Sequence, residues 1–450
     1  MIWYRNGNAF KNSIILKSQL PRGYIAHGNY DSQCTTVRDF TDKPEESLSF
    51  CEDETFWELH DATGKIVERT VIVSCDPGRK AWNTVMGPLR DPNPHGALWL
   101  YVPSLPKNKP HIISSSVETN KPHRIKMKNY PPHHDFHPLG VEIWPSHAGN
   151  ASNVYVVNHA RERTVIEQFI LDPSNPTEIL HVRTISHPYF LSPNALALTS
   201  PDSFYVTNDH LITRRLPIVG HILPLIESLL ALPLAYVSHV TLNPPSASTS
   251  NTDAIAKHTF VKLYVPFPNG VAISPSGTEV VIAYTTLGEV YFYERDPSTN
   301  ELTRLKYTVP LPFSVDNINY SPSLTNKGQQ DVIISGHPNF PQLAAVAANK
   351  TGSSASSWVV AIIPKDNADA KSETMFDQEA PVSTNTKILR DGNNWTLKTL
   401  FQSDGVEESG GFGTSTNGLR DADSGTLYVS GLYAKGGMLV CKAETENEIY

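Results

Sequence analysis

Glu52, Asp53, Asn194, Asn269, Asp316 and Asn317 are the residues whose types and placement could do chemistry. Each stands at the head of an apolar, alternating stretch, where a strand would be entering a core. Carboxylates and amides are poor strand formers and costly to bury without partners. What they share is hard oxygen donation, which suits Ca²⁺ with its roughly six to eight oxygen ligands. Zinc would ask for His and Cys, and magnesium would keep more of its own water. Brought together, the carboxylates would repel one another without a cation between them. Taken singly, an Asn before Gly, as at 269–270, is a turn residue, and Asp316 could cap a strand end. Recurrence at equivalent points of four similar segments favours the metal.

Histidines form a second set. His159, His210 and His337 close the phrases VVNH, TNDH and SGH. A lone His in such a place is usually structural. Three at corresponding ends point to one rim, and His suits proton transfer near neutral pH.

The elements that must position these residues are strands. A loose phrase recurs: a Gly or Asn, an alternating apolar run, a Pro/Asp/Ser/Gly turn, then a β-branched run. It fills 52–76, 139–159, 194–210, 269–284, 316–337 and 417–433. Each copy predicts a hairpin, and runs such as 163–172 and 287–296 add further strands. Six four-stranded units predict an all-β fold, a six-bladed β-propeller over 1–450 whose innermost strands line a central metal tunnel. A large β-sandwich is the alternative, but it does not require six similar phrases.

Three segments depart from the pattern. Residues 1–33 form an N-terminal extension. Residues 215–238 are apolar and helical in character, a cap over one face that could also touch a membrane surface. Residues 365–395 are polar and predict a surface loop.

Composition narrows the function. The chain has 450 residues, 39% hydrophobic and 18% charged, so a large core is affordable and global disorder is excluded. A formal net charge of −8, with no basic stripe, argues against a nucleic-acid partner. The 35 prolines suit strands and loops. No apolar run is long enough to span a membrane, and the N-terminus does not read as a signal peptide. The four cysteines form no CxxC. One lies near each end of the chain, which suits a bond closing it, Cys34 to Cys441, with Cys51 and Cys75 left to pair. Four reduced, buried thiols are the equal alternative. Sequons at Asn150, Asn319, Asn349 and Asn394 join the cysteines in pointing to an exported protein. Strand alternation puts Asn319 on the face of Asn317, so its sequon is expected to be unused.

FHPLG (136–140), VVNH (156–159), SPNA (192–195), FYVTNDH (204–210), PNGVAISP (268–275), VDNI (315–318) and GHPN (336–339), with the closing SGLYAKGGMLVC (430–441), resemble the serum paraoxonase/arylesterase family in order and spacing. The resemblance spans about 34–441 and is strongest over 136–340. It implies a six-bladed propeller with two calcium ions, hydrolysing lactones and aryl esters. It implies that Glu52, Asn194, Asn269, Asp316 and Asn317 bind the catalytic calcium. It favours the Cys34–Cys441 bond. For the second calcium it implies Asp53 and the carbonyl of Val141, but the third position is Ala195, which has no side-chain oxygen. The chain also carries Leu139 where the vertebrate enzymes have a His that pairs with the one matching His159. Proton transfer would then fall to His159 alone, to His137, to His337, or to a carboxylate among the metal ligands. Leu139, His137, Asp209 and His210 would line the substrate pocket, and 215–238 with the loops at 340–346 would wall it. The expected partner is a small ester or lactone. Two alternatives stand: a calcium-binding propeller acting as a binding module, and a propeller enzyme of gluconolactonase or strictosidine-synthase type.

Overall fold

The computed structural model describes residues 7–443 apart from 8–9, 16–18, 40–42, 94, 105–111, 114, 246–253, 366–376 and 385–393. Much of the 1–33 extension and most of the 365–395 loop lie outside the described residues.

The fold is all-β, a six-bladed β-propeller of four- and five-stranded sheets. Their leading strands, in chain order, are Cys51–His60, Pro138–Ile143, Pro193–Ser200, Pro268–Ile273, Ser314–Pro322 and Ser415–Asp421. Each pairs antiparallel with the next strand of the chain. These six hairpins coincide with the six repeated phrases. The turns between them are tight where Pro201-Asp202 or Ser276-Gly277 supply turn chemistry.

The chain divides into two compact units. Residues 37–227 and 234–265 carry sheets one to three, and residues 1–36, 228–233 and 266–450 carry sheets four to six. In each unit the apolar residues of successive sheets interlock. Trp57, Leu98, Phe136, Val154 and Phe169 pack between sheets one and two, and Tyr155, Ile166, Phe204 and Val206 between two and three. Phe292, Phe313, Trp358 and Trp395 do so between sheets four and five. Sheets covered on both faces explain why strands such as Ile66–Cys75 run apolar for several residues instead of alternating.

Both cysteine pairs are disulfides, Cys34–Cys441 and Cys51–Cys75. The first fastens the N-terminal strand Cys34–Val37 beside the last strand, Met438–Cys441, completing sheet six. The N-terminal region is also less separate than an extension: Tyr24–Ile25 adds a fifth strand to sheet five.

The apolar segment is less helical than its composition suggests. A 3-10 turn at Val219–His221 and a helix at Leu223–Leu229 are followed by the strand Ala235–Leu242, because 235–238 already pair into sheet three. Ile218 and Ile222 are 86% and 62% exposed. Among the described residues, no helix is long and apolar enough to cross a membrane.

Candidate functional site

Every leading strand carries one more residue than its partner near its N-terminal end, a β-bulge. The bulged residues are Glu52, Leu139-Gly140, Asn194-Ala195, Asn269-Gly270, Asp316-Asn317 and Thr416. A bulge leaves backbone unpaired, bends the strand and re-aims a side chain. The polar residues that looked misplaced in strands therefore sit where the ladder is broken. Asn317 and Asn319 straddle the end of such a break, so simple alternation does not relate them.

Within each unit the bulges lie against one another. A Cβ on Gly140 would collide with the backbone oxygen of Asn194 and lie 2.9 Å from the Cα of Ala195. A Cβ on Gly270 would lie 2.7 Å from both the Cα of Asn317 and the carbonyl oxygen of Asp316. Only glycine permits these approaches.

In the unit of sheets one to three, Glu52, Asp53, Asn194, Asp209, His137, His159 and His210 are all buried. The Asp53 carboxylate accepts the backbone N–H groups of Glu54 and Val141, both at 2.9 Å. Val141 thus meets Asp53 through its amide N–H. Next to Val141, burial and then the charge of Asp53 push the Glu142 carboxyl up to about 8. Asn194 donates its Nδ2 to Asp209 Oδ2 at 3.2 Å, and Asp209 Oδ1 faces His210 Nδ1 at 3.1 Å. The Oδ1 of Asn194 is buried and accepts no hydrogen bond.

His159 is held on both sides. Its Nδ1 meets Thr84 Oγ1 and its Nε2–H donates to the carbonyl of Pro193 at 2.8 Å. Burial outweighs these contacts and lowers its pKa to about 4. The ring is a brace beside Asn194, with both nitrogens engaged. Leu139 is partly buried and packs against the core of sheets two and three, the cluster of Phe190 and Leu196.

In the unit of sheets four to six, Asn269, Asp316, Asn317 and His337 are buried. Asp316 Oδ2 accepts His337 Nε2–H at 2.8 Å, which leaves the buried Nδ1 of His337 without a partner. The Oδ1 of Asn269 is also buried and accepts no hydrogen bond. A cavity of about 40 Å³ lies close by in sequence: Phe267 precedes Asn269, Ser314 precedes Asp316, and Phe340 follows His337. Its wall includes Ile14 and Leu229, and the Ser13 and Thr285 hydroxyls are buried in it without hydrogen-bond partners. Residues 340–346 belong to a helix, Phe340–Ala347, capped by Asn339, not to loops.

A hard cation is tested by the donors available to it. Bare, buried amide oxygens at Asn194 and Asn269 fit calcium, and cost about 1–3 kcal/mol each if left unpaired. Among the described residues no group of three or more His, Cys, Asp or Glu is arranged to hold a metal, so the donor set rests on amides with separate carboxylates.

Sequence reading missed several residues of this neighbourhood. Asp76, just after Cys75, accepts the Nδ1–H of His137 at 3.0 Å. Arg79 donates to the carbonyl of Pro138 at 2.8 Å. Glu167 gathers donors from Tyr130, His134, Asn158, His181 and Thr184. The spacing of Asp76 and Arg79 in CDPGRK carries a turn signal but nothing that names their partners.

A propeller with carboxylates and amides on its strand bulges defines a class, and residues 92–397 match the Arylesterase family, to which the chain belongs. It is a divergent member related to the serum paraoxonases. Serum paraoxonase/arylesterase 2 of Bos taurus is 27% identical over 208 residues, 46% of this chain and 51% of that one. Serum paraoxonase/arylesterase 1 of Homo sapiens is 28% identical over 204 residues, 45% and 50% of the two chains. The matches thus span about half the length of these relatives. Among solved structures, a luciferin-regenerating enzyme aligns over 88% of this chain and 92% of its own, with 12% identity and a TM-score of 0.41. That likeness carries no argument about this protein.

Proposed function

We propose that this chain is a calcium-dependent hydrolase of carboxylic esters and lactones, of arylesterase or lactonase type. The observation that carries the reading is the pair of buried amide oxygens, on Asn194 and Asn269, left without a hydrogen bond in a chain of the Arylesterase family. By the family resemblance, Glu52, Asn194, Asn269, Asp316 and Asn317 would hold the ion. Calcium supplies Lewis-acid polarisation of a carbonyl when bound. One ion is proposed, because Asp53 already holds two backbone N–H groups and Ala195 brings no oxygen.

The protein's own groups do the rest. His159 braces the Pro193 carbonyl and so sets the entry of Asn194. His337, paired with Asp316, holds a proton at Nε2. The cavity beside Phe267 and Phe340 would receive the apolar part of a substrate, with Ser13 and Thr285 as polar contacts. The two disulfides fit an oxidising compartment, so a secreted protein is proposed.

A second reading has one observation in its favour. Leu139, partly buried against the core, stands where the family resemblance implies a His, which fits a calcium-binding propeller of little activity, acting as a binding module. Phenyl acetate and a medium-chain lactone, assayed with and without chelator, separate the two. Hydrolysis abolished by chelator in a folded protein supports the enzyme. Calcium binding without hydrolysis supports the module. Full calcium-dependent activity in folded Asp316→Ala would overturn the proposed ligand set.

A further inference from the structure

We propose that His137, oriented by Asp76, is the general base that activates water; the proposal rests on the hydrolase reading above. Both side chains are buried, at 2% and 1% exposure. The Nδ1 of His137 lies 3.0 Å from Asp76 Oδ2, so Nδ1 carries the proton and Nε2 the lone pair. That Nε2 is buried and has no hydrogen-bond partner. A buried acceptor left bare marks a missing water, ion or substrate.

The surroundings are built to hold this ring in place. Asp76 is itself fixed by the Gly78 N–H on its other oxygen at 2.9 Å, and it follows the Cys51–Cys75 disulfide. The His137 backbone N–H donates to Asn158 Oδ1 at 2.8 Å, and its carbonyl accepts the His159 N–H at 3.0 Å. The Trp82 ring lies 5.7 Å from the imidazole at 30°. The titratable and charged groups around it are Asp76, Arg79 on the neighbouring Pro138 carbonyl, His95 with its ring at 5.9 Å, Asp135 two residues before, and His159. Other imidazoles fit the task less well. Both nitrogens of His159 are engaged, and the partner of His337 is Asp316, which the ligand set claims. Asp76 belongs to no such set, so the Asp76–His137 pair is free for proton transfer whatever the ion does.

The chemistry balances without a further reactant. Nε2 takes a proton from water as the water oxygen bonds to the carbonyl carbon. The tetrahedral adduct then expels the ester oxygen with its bonding electrons, and that oxygen takes the proton back from Nε2. Ester and water become acid and alcohol. Asp76 stabilises the transient imidazolium and keeps the tautomer.

The test compares wild type, Asp76→Asn and His137→Gln at saturating calcium, with phenyl acetate as substrate and circular dichroism to confirm folding. Asp76→Asn is nearly isosteric, but it turns the Nδ1 partner from acceptor to donor, so the lone pair moves to Nδ1. Each variant is expected to lose about 10²-fold or more in kcat with KM little changed, and to lose the acid limb of the kcat/KM profile. The double variant should be no worse than His137→Gln alone. Variants that lower only the melting temperature, with kcat and pH profile intact, would overturn the proposal. An inactive wild type at saturating calcium would overturn the hydrolase reading and this proposal with it. If neither variant folds, ¹⁵N NMR of wild-type His137 decides: a bare Nε2 is expected, and a protonated Nε2 with bare Nδ1 would refute the assignment.

Discussion

Replacing Glu167 by Gln should destabilise the protein in a way that depends on pH. Glu167 is fully buried in the strand Val165–Leu171. Burial alone would raise its pKa, but hydrogen bonds from His134, His181 and Asn158 outweigh it and bring the carboxyl from 4.5 down to about 2. That depression, at about 1.4 kcal/mol per pH unit, is worth about 3–4 kcal/mol of folding free energy. The sign follows from the depressed value. The contribution is complete above the unfolded pKa of 4.5 and is lost as pH falls through about 2. Gln keeps the shape, but its amide end donates toward groups that already donate. Urea unfolding of Glu167→Gln and wild type at pH 7 should therefore differ by about 3–4 kcal/mol, and the gap should shrink steadily between about pH 4.5 and 2. His134 acts oppositely: its hydrogen bond to Glu167 raises its pKa, so its contribution is present below its usual 6.5 and lost as pH rises through the raised value. A gap that stays constant between pH 7 and 2.5 would refute this account of Glu167.

Three further outcomes are expected. Gly270→Ala places a Cβ 2.7 Å from Asn317 Cα and should cost about 1–3 kcal/mol, with weakened calcium binding by isothermal titration; unchanged binding would contradict the tight-bulge account. Glycopeptide mass spectrometry after expression through a eukaryotic secretory pathway should find Asn319 bare, because its Nδ2 already donates to Asn417 Oδ1 at 2.6 Å and Gly418 O at 3.2 Å, whereas Asn150, Asn349 and Asn394 are exposed; a glycan at Asn319 would contradict this. Ile218→Glu with Ile222→Glu should abolish any sedimentation of the protein with phosphatidylcholine vesicles, and unchanged sedimentation would remove 215–229 as the contact.

The six hairpins were legible because each repeats alternation, turn and β-branched run within about twenty residues, which local chemistry determines. The polar heads of the leading strands were legible too, because Asp, Glu and Asn entering apolar runs break an otherwise regular pattern. What held them there was not. A bulge is set by the register between two strands, so Asp316-Asn317 and Asn269-Gly270 show their break only when Ser335 and Ala283 are seen opposite them. The surroundings of His159 were hidden for a related reason. Its partners, Thr84 and the Pro193 carbonyl, lie 75 and 34 residues away and leave no mark on VVNH. His137 and Asp76 are separated by 61 residues, and only folding shows the pair. The helical reading of 215–238 overran because apolar content is shared by helix and buried strand, and the boundary at Ala235 is set by pairing with Asn208 and its neighbours.

The most direct test of the central claim is the rate of phenyl acetate hydrolysis by the intact chain as free calcium is titrated from full chelation to saturation, with circular dichroism recorded throughout. The account predicts no hydrolysis at full chelation and a saturable rise as calcium returns to a folded protein. Hydrolysis undiminished by chelation, or none at saturating calcium, would contradict it.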